Sequence, residues 1–291
     1  MDSDQTVDAS VVILSMGDRP KQLSEAISSV SQQIACKTEI ILVWNGLEAI
    51  QEVKANQHIS TKTNIGIPAG RNKGAAFANN ELIMFLDDDA KIISPDLLAN
   101  AAARFRNDDS LGVIALRILD EFGITSRRHI PRLGDKSADI SGITAGFLGG
   151  ACIVRRKAWE EINGYSGDLF YGMEETDLSW RIIDAGWKIF YDAELKVEHP
   201  HVKPSRHSEG IRLTARNTVW IAKSNLPVIL APIYILNWLL ISILRNLKSP
   251  RALKSIFIGN YQGMRENPLE RKVLKWKTIA TLFRIGRPPI I

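Results

Sequence analysis

Three consecutive carboxylates, Asp87, Asp88 and Asp89, directly follow the apolar run 82–86. The run has the length of a buried strand. Ligands of open α/β sheets bind beyond the carboxyl ends of the strands, so these side chains are expected to face a ligand crevice. Like charges repel unless a cation joins them, and carboxylate oxygens suit Mg²⁺ or Mn²⁺, which leave coordination positions for water and phosphate. We therefore predict a metal-bound diphosphate here, with a solvated acidic turn as the alternative.

A second acidic group, Glu174, Glu175 and Asp177, lies at the start of a predicted helix. Carboxylates there are favoured by the helix dipole and can cap free backbone N–H groups, so a well-capped helix is one interpretation. The other interpretation is catalytic. A metal site that holds a leaving diphosphate lacks only a base, and a carboxylate fixed at a helix start is well placed for that work. These three residues are our candidate catalytic groups.

Strands and helices alternate along the part of the chain that carries both acidic groups. This order predicts an α/β protein with a mostly parallel sheet and helices on both faces. Neither a G-x-G-x-x-G in the required place after a strand nor a G-x-x-x-x-G-K-[ST] loop occurs, so dinucleotide dehydrogenases and P-loop NTPases are not supported. The predicted strands are 11–14, 39–44, a short strand near Ile59, 82–86, 112–116 and 149–154. The predicted helices are one after Pro20, one from the glycine-rich segment 64–74 to about Asn79, 95–106, 157–162 and one from 174.

Two stretches are predicted to contact an acceptor. Gly149 and Gly150 open a predicted strand, where a backbone can approach a ligand closely. Residues 120–141 are polar and basic and are predicted to form a long loop of the kind that often carries function. The basic residues of this loop are Arg127, Arg128, His129 and Arg132.

Six segments, in chain order, resemble the motifs of family 2 glycosyltransferases, including bacterial rhamnosyltransferase-like enzymes that build cell-surface glycans. The segments are 11–15, 64–74, 85–89, 150–155, 174–181 and 197–199, and the resemblance covers about 10–225. It implies the GT-A fold, which is Rossmann-like, with a mixed, mostly parallel sheet flanked by helices. It also implies an inverting transfer of a sugar from a nucleotide diphosphate sugar, with Mn²⁺ or Mg²⁺ as the cofactor.

The resemblance also implies roles for single residues. Asp87-Asp-Asp89 matches the D-x-D motif, so that Asp89, with Asp87 and His199, would bind the metal. Glu175 stands where the family places its base, which is usually an aspartate, and this departure leaves the neighbouring Glu174 possible. The candidate acceptor contacts are Gly149, Gly150 and Trp180. The candidate donor contacts are Ser15, Arg19, Trp44, Asn45, Asn64, Gly66, Arg71, Asp87 and Asp88.

Two of the donor candidates bear on the nucleotide. Trp44 occupies the end of the second strand, where the family commonly has an aspartate that contacts the base, and its indole can stack on the base or fill the core. Arg71, by its match, would reach the diphosphate or the base, since a buried arginine needs an anionic partner. Uridine specificity is not implied, and UDP-, GDP- and dTDP-sugars are all candidate donors.

Composition indicates a globular protein. The hydrophobic share is 45% and the charged share 24%, which is ordinary for a chain with a sizeable core. Cys36 and Cys152 have neither a metal-ligand spacing nor a disulfide pattern, which fits a reducing cytosol. The first residues are acidic and polar, unlike a signal peptide, so export by that route is not expected.

An uncharged segment and a basic segment follow residue 225. Residues 226–244 carry no charge, but Pro227, Pro232 and Asn237 make a re-entrant or surface-lying hairpin a better prediction than a membrane span. Residues 245–291 carry 11 Lys/Arg and 2 Asp/Glu, whereas the rest of the chain carries 26 and 30. The net charge of +5 therefore comes from the C-terminal segment.

A basic amphipathic helix is predicted near the C-terminus, with one apolar face formed by Leu269, Val273, Trp276, Ala280 and Phe283. Such helices bind anionic membrane surfaces, and packing on the catalytic domain is the alternative. No aromatic stacking platform or nucleic-acid motif accompanies the positive charge, so a nucleic-acid partner is not expected.

We thus predict a GT-A catalytic domain over 1–225, with a donor half at about 10–110 and an acceptor half at about 111–225, and a membrane-associating helical appendage over 226–291. The predicted activity is transfer of a sugar to a hydroxyl of a lipid-linked or cell-surface glycan at the cytoplasmic face of the membrane, with peripheral or re-entrant attachment. The alternative is a catalytically silent GT-A-like subunit of a membrane-bound assembly.

Overall fold

A mixed sheet of nine strands forms the centre of the protein in a computed structural model that describes residues 7–131, 137–201 and 209–290. The strands are β1 (Val7–Ser15), β2 (Cys36–Asn45), β3 (Gln57–Thr61), β4 (Leu82–Asp87), β5 (Lys91–Ile92), β6 (Leu111–Leu119), β7 (Gly142–Thr144), β8 (Ala151–Arg155) and β9 (Lys188–Glu198). Their order is β3-β2-β1-β4-β8-β6-β9-β5, and β7 also pairs with β9. Strands β3, β2, β1 and β4 are parallel, whereas β8 runs antiparallel between β4 and β6. The carboxyl ends of β3, β2, β1 and β4 and the amino end of β8 therefore lie at the same edge of the sheet.

Helices cover both faces of the sheet. The helices are α1 (Pro20–Ser31), α2 (Ile67–Ala75), α3 (Leu97–Asn107), α4 (Arg156–Glu161), α5 (Glu174–Asp184), α6 (Gly210–Asn225), α7 (Ala231–Arg245), α8 (Pro250–Arg265) and α9 (Trp276–Arg284). One hydrophobic cluster joins the sheet to α1 and α3, and a second joins it to α2, α4 and α5. Alternate residues of β1, such as Val11 and Val12, enter opposite clusters because successive strand side chains point to opposite faces. Burial on both faces explains why these strands are continuous apolar runs.

Helix α2 ends at Ala75, earlier than the predicted end near Asn79. The backbone N–H groups of Asn79 and Asn80 donate to the Ser10 hydroxyl at 3.2 and 3.1 Å. The side chain of Asn79 also donates to Glu39 at 2.6 Å. These hydrogen bonds hold residues 79 and 80 in a non-helical conformation, because asparagine and serine side chains compete with the backbone hydrogen bonds of a helix.

The C-terminal helices pack on the rest of the protein. Helix α8 lies close to α6 at Gly259 and Gly263, where an added Cβ would lie 2.2 Å from the Arg212 carbonyl oxygen and 2.7 Å from the Arg216 carbonyl oxygen. A third hydrophobic cluster joins helices α5, α6, α7 and α9; its large members include Trp180, Trp220, Tyr234, Ile279 and Leu282. None of the described helices has both the length and the apolarity needed to cross a membrane.

The predicted apolar face of the last amphipathic helix is not its buried face. Helix α9 begins only at Trp276, and its buried residues are Thr278, Ile279 and Leu282. Trp276 and Phe283 are instead 63% and 49% exposed. The helix start is held by Asp184 of α5, which accepts hydrogen bonds from the Lys275 backbone at 2.8 Å and from the Thr278 hydroxyl at 2.6 Å. These bonds turn the Thr278 side of the helix inward.

Candidate active site

Asp87, Asp89 and His199 form a possible metal site at the ends of β4 and β9. Each offers one ligand atom, and these atoms lie within 4.8 Å of one another. His199 Nε2 lies 3.1 Å from Asp89 Oδ1 and 3.7 Å from Asp87 Oδ2. Burial opposes protonation, but hydrogen bonds and charge from both carboxylates outweigh it and raise the pKa of His199 to about 10. Two carboxylates and an imidazole are a donor set that suits Mn²⁺ or Mg²⁺, which would displace this proton.

Asp88 has a different environment from its two neighbours. It is 2% exposed, and the Ser15 hydroxyl donates to its Oδ2 at 2.7 Å. Arg19 Nη2 lies 2.8 Å from its Oδ1, and the same guanidinium also contacts Asp89. Burial raises the pKa of Asp88 to about 6 despite the Arg19 charge. Asp88 therefore ties the ends of β1 and β4 together, and Ser15 and Arg19 bond to the acidic motif itself.

Arg71 connects the metal site to the second acidic group. It is 5% exposed, its Nη2 donates to Asp87 Oδ1 at 2.8 Å, and its Nη1 lies 3.9 Å from Glu175 Oε1. Burial acts in the opposite direction, but His199 and Arg71 hold the pKa of Asp87 well below its usual range. The guanidinium thus places a fixed positive charge between the two groups of carboxylates.

Gly149 and Gly150 lie just before β8 and allow the close approach of other site residues. A Cβ at Gly150 would be 2.0 Å from Asp87 Oδ2, and one at Gly149 would be 2.1 Å from Arg71 Nη1. The backbone of Gly150 also accepts a hydrogen bond from the Asp87 N–H at 3.0 Å. The two glycines, predicted as acceptor contacts, thus contact Asp87 and Arg71 directly.

Replacing Gly150 with alanine is expected to weaken Mn²⁺ binding by about tenfold or more, because the added methyl group displaces the Asp87 carboxylate and altered ligand orientation costs 10–100-fold in metal affinity. Calorimetric titration with Mn²⁺ measures the effect. Gly167→Ala is the matched control, since a Cβ there meets its nearest atom at 3.5 Å. Equal Mn²⁺ affinity of the two variants would contradict this role of Gly150.

The three acidic residues at the start of α5 point in different directions. Glu175 has a side chain 28% exposed and accepts a hydrogen bond from the Gly149 N–H at 3.2 Å. Glu174 is 4% exposed, and its Oε2 has no hydrogen-bond partner among the described residues. Asp177 is 1% exposed and accepts hydrogen bonds from Ser166 at 2.8 Å, Arg181 at 2.7 Å and Asn225 at 2.7 Å. The structure therefore directs Asp177 away from the site, where it anchors α5 to α6.

The predicted donor contacts at the end of β2, Trp44 and Asn45, have different surroundings. Asn45 Nδ2 donates to Asn64 Oδ1 at 3.0 Å and to the Gly66 carbonyl at 3.4 Å, so these three residues hold the start of α2 beside β2. Trp44 is fully buried, and its indole N–H donates to His58 Nδ1 at 3.0 Å. The structure thus corrects the assignment of Trp44 as a donor contact, because its side chain fills the core below the sheet edge.

A cavity of about 360 Å³ brings seven of the candidate residues together. Arg71, Asp87, Gly149, Gly150, Glu174, Glu175 and His199 all line it. Tyr171, Thr214 and His129 line it as well, and the first two were not predicted. Tyr171 lies within the aromatic segment that precedes Glu174, whereas Thr214 has no local sequence signal. Trp180 does not line this cavity; it is 3% exposed and packs edge-on against Tyr234. Arg132 lies outside the described residues.

The buried carboxyl group of Glu174 is expected to lower the free energy of unfolding of the protein as the pH rises. Burial, and then the charge of Glu175, raise the pKa of Glu174 well above its ordinary value, so folding favours the protonated carboxyl. The contribution of this carboxyl group to the free energy of unfolding is therefore fully present below the ordinary glutamate pKa of about 4.3. It is lost as the pH rises towards the raised pKa of Glu174 in the folded protein. We expect Glu174→Gln to be more stable than the parent, by a margin that grows by up to about 1.4 kcal/mol per pH unit. Urea unfolding at about pH 5 and about pH 8 tests this, and a constant margin would contradict it.

Comparison with known proteins agrees with this architecture. A family model described as "Glycosyl transferase family 2" matches residues 10–162, and one described as "N-terminal domain of galactosyltransferase" matches 136–207. The "Pre-mycofactocin glycosyltransferase" of Mycobacterium tuberculosis is 28% identical over 149 residues, which are 47% of this chain and 30% of that protein. An uncharacterized protein of Haemophilus influenzae is 25% identical over 51% of this chain and 88% of its own. The match thus spans about a third of the length of the mycobacterial relative.

Solved glycosyltransferase structures share the fold. A structure of GalNAc-T7 with UDP, GalNAc and Mn²⁺ superposes with a TM-score of 0.64 at 16% identity, over 98% of this chain and 59% of that one. Staphylococcus aureus TarS residues 1–349 with UDP-GlcNAc gives 0.60 at 13% identity over 97% and 88%. The Pyrobaculum calidifontis mannosyltransferase PcManGT with GDP-Man and Mn²⁺ gives 0.57 at 16% identity over 97% and 80%. These likenesses show the GT-A fold, and because the family model covers more than half of the chain, the protein belongs to glycosyltransferase family 2.

Proposed function

We propose that the protein transfers a sugar, with inversion, from a nucleotide diphosphate sugar to an acceptor hydroxyl, with Mn²⁺ or Mg²⁺ held by Asp87, Asp89 and His199. The observation that carries this proposal is one cavity lined by two of these ligands, by Arg71 and by Glu175. The bound ion would supply positive charge for the diphosphate of the donor.

Glu175 is the proposed base. Its carboxylate is partly exposed in the cavity and is oriented by the Gly149 N–H and by Arg71. It would accept the proton of the acceptor hydroxyl as that oxygen attacks the anomeric carbon. A single in-line displacement inverts the anomeric centre. Arg71, whose side chain is buried, lies between Asp87 and Glu175 and pairs with both.

The donor is proposed to be a UDP-, GDP- or dTDP-linked hexose or rhamnose. Support comes from the solved relatives, whose structures contain UDP, GDP-Man or UDP-GlcNAc. Calorimetric titration with UDP, GDP and dTDP, each with and without Mn²⁺, tests the proposal. We expect one nucleotide to bind only when Mn²⁺ is present. If the folded protein binds none of them, the silent assembly subunit becomes the better account.

We further propose a lipid-linked or cell-surface glycan as the acceptor, with peripheral or re-entrant attachment at the cytoplasmic face of the membrane. Helix α7 supports this, because four apolar side chains at helical spacing lie on its exposed stripe: Ile233, Leu236, Leu240 and Leu244, which are 43%, 54%, 49% and 66% exposed. Exposed apolar stripes of this kind mark interaction surfaces. Basic residues follow at Arg245 and Lys248, and anionic lipid headgroups match such a border.

Replacing both Leu240 and Leu244 with serine is expected to reduce binding to vesicles that contain anionic lipid by about tenfold or more, since each buried leucine contributes about 1.5–3 kcal/mol. Co-sedimentation with such vesicles measures the change. Ile34→Ser is the matched control, because Ile34 is 58% exposed but follows α1. Equal vesicle binding by the control and the double variant would contradict attachment through α7.

A further inference from the structure

A second, smaller cavity adjoins Glu175. Its volume is about 80 Å³. Glu175 and Leu148 line both this cavity and the larger one, so the proposed base stands between the two. Its lining also includes Arg128, Gly146, Phe147, Trp180 and Arg287. A group that occupies this cavity would lie next to Glu175 and outside the donor cavity.

The C-terminal segment supplies Arg287 to this cavity. The chain turns at Gly286, which has a φ of +80°, and the Arg287 N–H donates to the Leu282 carbonyl at 3.0 Å. The segment is also held at Ile290, whose carbonyl accepts a hydrogen bond from Asn237 of α7 at 2.8 Å. The guanidinium lies over Gly146, where Nη1 would be 3.6 Å from an added Cβ. Helices α7 and α9 thus position an arginine in the cavity that Glu175 also lines.

The charge of Arg287 has no carboxylate partner within 7–131, 137–201 and 209–290. Burial lowers the pKa of Arg287, although an arginine side chain stays protonated in proteins. The titratable neighbour is Tyr234, and burial raises the pKa of this phenol further, so it does not supply a negative charge. A partly buried guanidinium without a counterion is costly, and its planar fork matches phosphate and carboxylate groups.

We propose that Arg287 binds an anionic group of the acceptor, a phosphate or a carboxylate, while an acceptor hydroxyl reaches Glu175. This inference rests on the proposed function and names the class of acceptor. Phe147 and Trp180 form the apolar wall of the cavity, and such walls suit the face of a sugar ring. Arg128 also lines the cavity. The acidic group would come from a lipid-linked glycan phosphate or from an acidic sugar.

Binding of matched probes to the full chain tests the proposal. N-acetylglucosamine 1-phosphate is compared with N-acetylglucosamine, and glucuronate with glucose, by calorimetry in the presence of saturating Mn²⁺ and the nucleotide that binds. We expect one anionic probe to bind about tenfold more tightly than its neutral counterpart, because a charge-assisted hydrogen-bonded pair contributes on that scale. A preference in the first comparison indicates a lipid-linked phosphate, and one in the second indicates an acidic sugar.

Variants then assign the preference to Arg287. Arg287→Gln is expected to lose the preference for the anionic probe, while the wild-type protein and this variant bind the neutral probe equally. Arg287→Lys is expected to keep part of the preference. Arg284→Gln is the matched control, since Arg284 is an exposed basic residue of the same segment and does not line the cavity. An unchanged preference in Arg287→Gln would overturn the proposal.

The wild-type comparison decides the question even if Arg287→Gln does not fold, because a wild-type protein that binds anionic and neutral probes equally also overturns the proposal. Failure of the proposed function has a different signature. In that case no nucleotide binds with Mn²⁺, whereas the anionic preference and its loss in Arg287→Gln are measured with Mn²⁺ alone.

Discussion

Replacing Asp89 with alanine is expected to abolish Mn²⁺-dependent nucleotide binding, with a loss of affinity of about 100-fold or more. Asp89 is 8% exposed, its carboxylate lies 3.1 Å from His199, and it is one of three groups that can hold the ion. Loss of a direct ligand is expected to cost at least as much as loss of a residue that merely orients one, which already costs about 10–100-fold. Calorimetric titration of the nucleotide, with and without Mn²⁺, measures the effect.

Asp88→Asn is the control for this experiment, because it removes the adjacent carboxylate without touching the three possible ligands. Asp88 bonds to Ser15 and Arg19 instead. We expect Asp88→Asn to retain metal-dependent binding, with any loss confined to stability. If Asp89→Ala binds the nucleotide as tightly as the parent while Asp88→Asn does not, the metal site has been assigned to the wrong carboxylates.

Replacing Glu175 with glutamine is expected to lower the rate of sugar transfer by about 10²–10⁴-fold, which is the usual contribution of a general base. Nucleotide binding should change little, since Glu175 lies across Arg71 from the metal ligands. Single-turnover transfer with the cognate donor measures the rate, and calorimetry measures nucleotide affinity in the same variant. A variant that transfers sugar at the parental rate would contradict the role of Glu175.

The neighbouring Glu174→Gln variant provides an isosteric comparison. Because the pKa of Glu174 is raised by burial and by Glu175, its carboxyl is expected to be protonated near neutral pH and to resemble an amide already. Glu174→Gln should therefore retain most of the activity. If it loses activity while Glu175→Gln retains it, Glu174 is the base.

Sequence reasoning was most successful where burial or a metal site leaves a local pattern. Strands β1, β2 and β4 were predicted because burial on both faces requires continuous apolar runs. The position of Asp87, Asp88 and Asp89 at a strand end followed from the same pattern, since the ends of neighbouring strands meet at one crevice. The structure brings Asp87, Asp89 and His199 together as the resemblance implied.

Only the tertiary structure separated residues that look equivalent in the chain. Asp88 and Asp89 are adjacent carboxylates, but the Ser15 hydroxyl donates to Asp88, whereas His199 lies 3.1 Å from Asp89. Glu175 and Asp177 are two residues apart, and a helix rotates by about 100° per residue, so they face opposite sides of α5.

The sequence by itself thus predicted the fold family, the carboxylates of the metal site and the pair of candidate bases, because each leaves short motifs of neighbouring residues in the chain. The tertiary structure decided that Trp44 fills the core, which face of α9 is buried, and that Arg287 and Glu175 line one cavity. The physical reason is that these outcomes depend on contacts between residues far apart in the chain. Arg287 and Glu175 are more than 100 positions apart, and no local pattern predicts that they line the same cavity.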